Sequence, residues 1–276
     1  MGSATTSRSA TAAGSALRAY GEELAAAGAA QRGGAFTDDR AADAFVKSRP
    51  EAFVIGVLFT QGIPAERAWA GPYLLAQRLG HFDLARLAAH PDAVSAAVAA
   101  PPALHRFVHT VPGWIVSAAR RIDGEWGGDA ASIWSAGTSL SQVVERLRAF
   151  DGIGPKKAVM ASEILLRHFG AELTDVECGS VAYDVHVRRV FLRTGLVDRD
   201  TPEEIRAAAA VACPGSPGVL DLATWLVGRE SCHPREPRCE TCRLGGVCLR
   251  LTERSADGVG VRRGRSGRSG SDRGEP

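Results

Sequence analysis

Apolar residues recur at spacings of three and four along most of this chain. The segments 15–30 (SALRAYGEELAAAGAA), 73–89 (YLLAQRLGHFDLARLAA), 92–99, 139–149, 156–169 and 203–212 all show it, and Pro and Gly punctuate them. That spacing predicts amphipathic helices. The run FVIGVLF (53–59) reads as either a buried strand or a buried helix, because a short apolar run has no period to decide it. No pair of alternating segments joined by a hairpin turn appears. The pattern predicts an all-α fold without internal repeats.

The two ends depart from this pattern. Residues 1–14 are small and polar, and residues 251–276 end in GVGVRRGRSGRSGSDRGEP. Neither has the apolar content to pack, so both are expected to be disordered. The body can hold a sizeable core in one or two domains, since 45% of the 276 residues are hydrophobic. There is no run of 18 apolar residues and no apolar signal core near the start, although a Ser/Ala/Arg-rich transit segment is compatible with the first residues. The expectation is a soluble protein of a reducing compartment. The net charge is +2, and residues 250–276 hold seven Arg and four acids, which leaves the body slightly negative. A nucleic-acid surface would therefore be built from local patches and a basic tail.

Cysteine spacing adds the first chemistry. Cys232, Cys239, Cys242 and Cys248 form C-x6-C-x2-C-x5-C within 17 residues. Thiolates select zinc or iron–sulfur clusters. Zinc sites usually use two close pairs, and only one close pair is present, so a [4Fe–4S] cube fits the spacing better. Zinc and disulfides are the alternatives. Six cysteines in 276 residues, with Cys178 and Cys213 scattered, are too few for a disulfide scaffold.

LRAFDGIGPKKAVMASEILL (147–166) is the second informative stretch. Leu147 and Phe150 close one helix, Gly152 and Gly154 flank Ile153 in a tight turn, and Pro155 suits the first position of the next helix. Free N–H groups at that helix start can hold a phosphate without reading sequence. The alternative is an ordinary turn between two helices. Of 33 basic residues only Lys47, Lys156 and Lys157 are lysine, and two of them stand side by side here. Arginine serves phosphate at least as well, whereas lysine alone can lose a proton and form a Schiff base.

The third stretch is VAYDVHVRRVFLRTGL (181–196). Asp184 precedes a helix expected to turn Val187, Val190, Phe191 and Leu192 inward and Arg188, Arg189 and Arg193 outward. An Asp in that place is most often an N-cap. It can also be cap and catalyst at once, facing a cleft between two domains.

These stretches together resemble the endonuclease III branch of the helix-hairpin-helix DNA glycosylase superfamily, over roughly residues 40–250. The cysteine spacing is similar to that family's [4Fe–4S] loop gap for gap, and WLVGRESC (225–232) to the helix that leads into it. GIGPKKA is similar to its hairpin, with Lys156 on the position of the catalytic lysine. YDVHVRRV is similar to the segment of the catalytic aspartate, which falls on Asp184. Gln61 falls where the family places a glutamine that fills the gap left by an extruded base. The chain departs from the family at Pro155, usually basic, at GIPAERAW after Gln61, and in a longer loop from Gly170 to Tyr183. The adenine-removing branch needs a Glu before Gln61 and lacks the hairpin lysine, so it fits less well.

The resemblance implies two helical domains flanking a DNA-binding cleft. One is 42–170, carrying the hairpin; the other is 15–41 with 171–250, carrying cysteine loop 232–248. It implies a bacterial, cytoplasmic, nucleoid-associated and monomeric enzyme. The partner is double-stranded DNA with a damaged base or abasic site, and the expected target is an oxidised pyrimidine. Lys156 and Asp184 are the implied catalysts. Gln61, Gly152, Gly154, Lys157, Arg235 and Arg238 are the implied DNA contacts, the two arginines presented to phosphates by the cluster loop. Two alternatives stand beside this: a monofunctional glycosylase for alkylated or deaminated bases, with Asp184 activating water, and a non-catalytic DNA-binding or electron-transfer module.

Overall fold

The ambiguous run 53–59 is helical. It belongs to α3 (Pro50–Phe59), and every residue from Ala52 to Phe59 is buried. A helix apolar on all sides must lie inside its domain, and α3 is the axis of the first core. On it pack α2 (Arg40–Ser48), α4 (Ala65–Leu79) and α7 (Val111–Trp126), and α5 (Leu84–Ala89), α6 (Pro91–Ala99), α8 (Leu140–Arg148) and α9 (Pro155–His168) complete the same core. Two glycines let α3 and α4 touch. A Cβ on Gly56 would meet the Trp69 ring at 2.7 Å, and one on Gly71 would meet Phe59 at 2.5 Å. Phe36 also packs here, 4.9 Å from Trp69 between ring centroids, so the first core begins before residue 42.

The computed structural model describes the backbone of residues 2–30 and 36–251, and the side chains of 11–27 and 36–251. Among the described residues there is no strand, only an isolated bridge between Ser139 and Thr174. No single helix among them is long and apolar enough to cross a membrane. The tail expected to be disordered lies outside the described residues from 252 onward.

A second core joins α1 (Gly2–Ala30), α10 (Val185–Thr194), α11 (Pro202–Ala212) and α12 (Leu220–Glu230) with the cysteine loop. Leu17, Val187, Val190, Phe191, Ile205, Ala209, Leu220 and Leu244 are its centre. The expectation of disorder over 1–14 is corrected here: α1 starts at Gly2, Ala13 is fully buried, and Gly14 lies against Ala212. Small residues were read as unable to pack, but in a helix they permit close approach, and Ala is the best helix former. Gly21 shows how close. A Cβ there would sit 2.2 Å from the carbonyl oxygen of Val219, in the short turn Pro217–Val219 that leads into α12.

Gly21→Ala is therefore expected to lower the melting temperature by about 3 °C or more. Helix propensity alone, which favours Ala by about 1 kcal/mol, would raise it. A thermal unfolding curve separates the two outcomes.

Candidate active site

The turn between α8 and α9 is built from residues 149–154. Phe150 and Ile153 are buried, and the Ile153 N–H donates to the Phe150 carbonyl at 3.0 Å. Gly152 has φ +80°, and a Cβ there would strike the Trp114 indole at 2.5 Å, so this position demands glycine twice over. Gly154 is the N-cap of α9, with Pro155 just inside and no side chain capping the end. The first N–H groups of α9 lie at an exposed surface with no side chain to take them.

The next residue reaches across to the second core. Lys156 Nζ lies 3.1 Å from Asp184 Oδ2; the lysine side chain is 52% exposed and that of the aspartate 4%. The other oxygen of Asp184 is also used. Oδ1 accepts the N–H groups of His186 at 2.8 Å and Val187 at 2.9 Å, the N-cap of α10. The carboxylate is thus cap and partner of Lys156 together. The site is a half-exposed amine and a nearly buried carboxylate at the meeting of two helix N-termini.

Lys157 is placed differently from the expectation of a DNA contact. It is 7% exposed, and its Nζ donates to the Leu58 carbonyl at 3.2 Å and lies 5.5 Å from the centre of the Trp114 ring. Burial, with the neighbouring Lys156 charge adding to it, pushes its pKa down to about 8. Successive helical residues point about 100° apart, so with Lys156 facing Asp184, the Lys157 side chain is turned into the first core.

Gln61 is exposed in the loop after α3. That loop is braced from below: His105 is fully buried, and its Nε2 lies 3.2 Å from the Phe59 carbonyl while its Nδ1 accepts the Phe107 N–H at 3.0 Å. Burial holds the imidazole below its usual pKa, and the neutral tautomer with hydrogen on Nε2 satisfies both contacts. Phe107 flanks Gly62, whose Cβ would lie 3.5 Å from its ring. It is 37% exposed, one of three large hydrophobics left exposed among the described residues, with Val185 and Val211. Sequence reasoning passed over Phe107 and His105. The segment ALHRF joins two helices without a period, and only the fold brings it beside Gln61.

The four loop cysteines line one cavity of about 110 Å³, together with Arg193, Leu244 and Arg235. All six cysteines are free thiols, with Cys213 in the second core and Cys178 exposed, so the disulfide alternative finds no bond here. No group of three or more His, Cys, Asp and Glu side chains among the described residues could hold a single metal ion. Burial pushes the Cys242 and Cys248 thiols up. Arg193, expected to face outward, is 9% exposed and lines the cavity; it donates to the carbonyls of His233 and Pro234 at 2.7 Å and lies 3.5 Å from Cys232 Sγ. Its Nε is buried without a partner. Arg189, also expected outside, is 6% exposed and donates to the carbonyls of Cys232 and Gly228. Backbone carbonyls at the end of α12 and the start of the loop hold both guanidiniums inside. Arg235 and Arg238 are exposed on that loop.

A scan against known protein families gives no match for the chain. Over 70 residues, 25% of its length, it is 36% identical to the Endonuclease III of Thermotoga maritima, and that stretch is 33% of the relative. The chain thus spans about a third of the length of the curated relative it matches. Among solved structures it is similar to a trapped endonuclease III–DNA covalent intermediate, an estranged-adenine complex. The TM-score is 0.56 at 16% identity, covering 78% of this chain and 87% of that one. That likeness shows an endonuclease III-like, all-α fold.

Burial of Lys157 makes its effect on stability depend on pH. Below pH 8 the folded and unfolded chains both carry its charge, and the folded state bears the full cost of burying it. Between about 8 and 10.5 the folded chain has released the proton and the unfolded chain has not, so stability rises with pH there. Lys157→Met is expected to be more stable than wild type at pH 7, with an advantage that shrinks by about 2–4 kcal/mol as pH passes through that window. Urea midpoints at pH 7 and 10 measure it.

Proposed function

We propose that this chain is a base-excision DNA glycosylase with associated lyase activity, working through a Schiff base on Lys156. The observation that carries the reading is the 3.1 Å approach of Lys156 Nζ to Asp184 Oδ2 at the start of α9. Lysine is the side chain that can attack a sugar carbon, and a carboxylate at hydrogen-bond distance can take its proton. The fold shared with a trapped endonuclease III–DNA covalent intermediate supports it.

The damaged nucleotide, an oxidised pyrimidine by preference, leaves the duplex for the site at a cost of a few kcal/mol. The amine of Lys156 attacks the anomeric carbon, the bond to the base breaks, and the base departs with the electron pair and takes up a proton. Asp184 stabilises the positive charge that develops on the sugar. The sugar ring opens to a Schiff base. Loss of a proton from the adjacent carbon then expels the 3′ phosphate and cuts the strand. The turn at Gly152 and Gly154 offers its N–H groups to backbone phosphate, and Arg235 and Arg238 bind further phosphates. Gln61 fills the space the base leaves, and the exposed Phe107 ring beside it acts as an apolar wedge. The two cores are the walls of the DNA cleft.

Cys232, Cys239, Cys242 and Cys248 are the ligands we assign to a [4Fe–4S] cluster. The fit rests on four free thiols lining one cavity with an unpartnered Arg193 Nε, a donor suited to a group of negative charge. A single tetrahedral zinc, with sulfurs about 2.3 Å from one ion, is the other group such thiolates hold. When bound, such a cluster supplies a rigid node for the loop and a redox-active centre.

Borohydride reduction on duplexes bearing oxidised pyrimidines or abasic sites should trap a covalent complex. Lys156→Gln should abolish both trapping and strand cleavage. Base release without trapping in the wild type would favour the monofunctional reading, with Asp184 activating water. Asp184→Asn keeps the cap, since Asn caps well, and should slow excision by about a hundredfold or more with little change in melting temperature. Purified protein should hold about four irons per chain with broad absorption near ~400 nm, and stoichiometric zinc without iron would refute the cluster.

A further inference from the structure

The segment that delivers Asp184, residues 180–184, has no helix or ladder of its own. Two buried acids take its amides instead. The Ala182 N–H donates to Asp221 Oδ1 at 2.6 Å, and the Ser180 N–H is hydrogen-bonded to Glu163. Glu163 stands on α9, seven residues after Lys156, 4% exposed, with Arg167 at 2.9 Å. Glycines leave room for its carboxylate: a Cβ on Gly218 would lie 1.8 Å from Oε1, and one on Gly179 2.8 Å. Asp221 lies in the first turn of α12, 9% exposed, and no ion pair joins it to a described residue. Two acids, Glu163 and Asp221, therefore hold one short segment that ends in a third, Asp184, with Lys156 and Arg167 as the cations facing them.

We propose that Asp221 is a positioning residue for the Lys156–Asp184 pair, holding segment 180–184 by the Ala182 amide so that Asp184 meets Lys156, and bringing its own carboxyl into the charge environment of that pair. The proposal rests on the function argued above. It goes further by naming a third acid, which never touches DNA, as a control on the amine.

Burial pushes Asp221 up to about 7. The Ala182 N–H opposes that, the charges of Glu163 and Asp184 add to it, and Lys156 pulls the other way. Below neutrality Asp221 is uncharged, and Lys156 has Asp184 as its partner. Above it, Asp221 carries a second negative charge near the Lys156–Asp184 pair. The stability consequence has a definite sign. A carboxyl raised from 3.8 to about 7 binds a proton in the folded chain that the unfolded chain has lost, so stability falls as pH rises across that window and is level beyond it.

Asp221→Asn keeps an acceptor oxygen for the Ala182 amide and removes the charge; Asp221→Ala removes both. On an abasic duplex, Ala should slow borohydride trapping by about tenfold or more through displacement of Asp184, and Asn should trap close to wild type at pH 6. A second arm needs no catalysis. Trace acylation of the full chain, read as the Lys156 peptide by mass spectrometry, should show a break near pH 7 in wild type. Asn should lose it. The Asn-minus-wild-type melting temperature should grow from pH 4 to 7 and then stay level. Trapping of the Ala variant at the wild-type rate overturns the positioning role, and a wild-type break retained in Asn overturns the electrostatic one. If even wild type fails to trap, the Schiff-base reading falls, and the labelling arm still decides Asp221. If the Ala variant does not fold, Asn decides through trapping and labelling.

Discussion

The two oxygens of the Asp184 carboxylate have different partners, and the arrangement of the site depends on that division. Oδ1 takes two N–H groups of the first turn of α10, and Oδ2 meets Lys156. A carboxylate that is only 4% exposed is costly unless its oxygens are satisfied. The cap does this, and the positive end of the α10 dipole adds to it. An N-cap of this type is worth about 1 kcal/mol. An ion pair with a half-exposed lysine contributes little stability of its own. Structure therefore holds the aspartate in place through one oxygen, and the other is left to meet Lys156.

The adjacent lysines show the same economy. A helix turns about 100° per residue, so Lys156 and Lys157 part ways: one meets Asp184 of the second core, the other lies under Trp114 with a single carbonyl acceptor. Leu58, which supplies that carbonyl, is the second-last residue of α3, and Gln61 follows in the loop. Lys157 thus ties the hairpin to the Gln61 loop. The lysine expected to meet DNA instead joins α9 to the end of α3.

How much of this was legible in the sequence depended on whether the signal was local. The start of α9 was readable because Gly152 and Pro155 each impose a backbone constraint within four residues, whereas Gly154, at φ −80° with nothing near a Cβ, imposes none. Asp184 was readable because an acid before a helical period is a cap. The all-α class followed from the three-and-four spacing, whereas 53–59 stayed ambiguous because a helix buried on every side has no polar face to reveal its period. α1 was misjudged because its contacts to Val219 and Ala212 lie some two hundred residues away in the chain. Arg189 and Arg193 were misjudged for the same reason: arginine is usually outside, and only the carbonyls of a distant loop make these two the exception. Asp221 carried no signal at all, since an acid in the first turn of a helix is ordinary until its neighbours are known.

One short helix connects the Lys156–Asp184 pair with the cysteine loop. α10 begins at its Asp184 cap, facing Lys156, and two turns later its buried face carries Arg189 and Arg193. Those guanidiniums hold Gly228 at the end of α12 and Cys232, His233 and Pro234 at the start of the cysteine loop. The bonds are charge-assisted and nearly buried, the class that contributes most and is most costly to break. The loop is anchored at its far end as well: the Cys248 thiol lies 3.4 Å from the Arg193 carbonyl, and the Leu251 amide donates to the same oxygen at 3.0 Å. Displacing the loop therefore strains α10 at both sides of Arg193, and α10 is what carries Asp184. The cysteine loop need not reach the Lys156–Asp184 pair to bear on it, because the helix that bears the carboxylate is also the one on which the loop is hung.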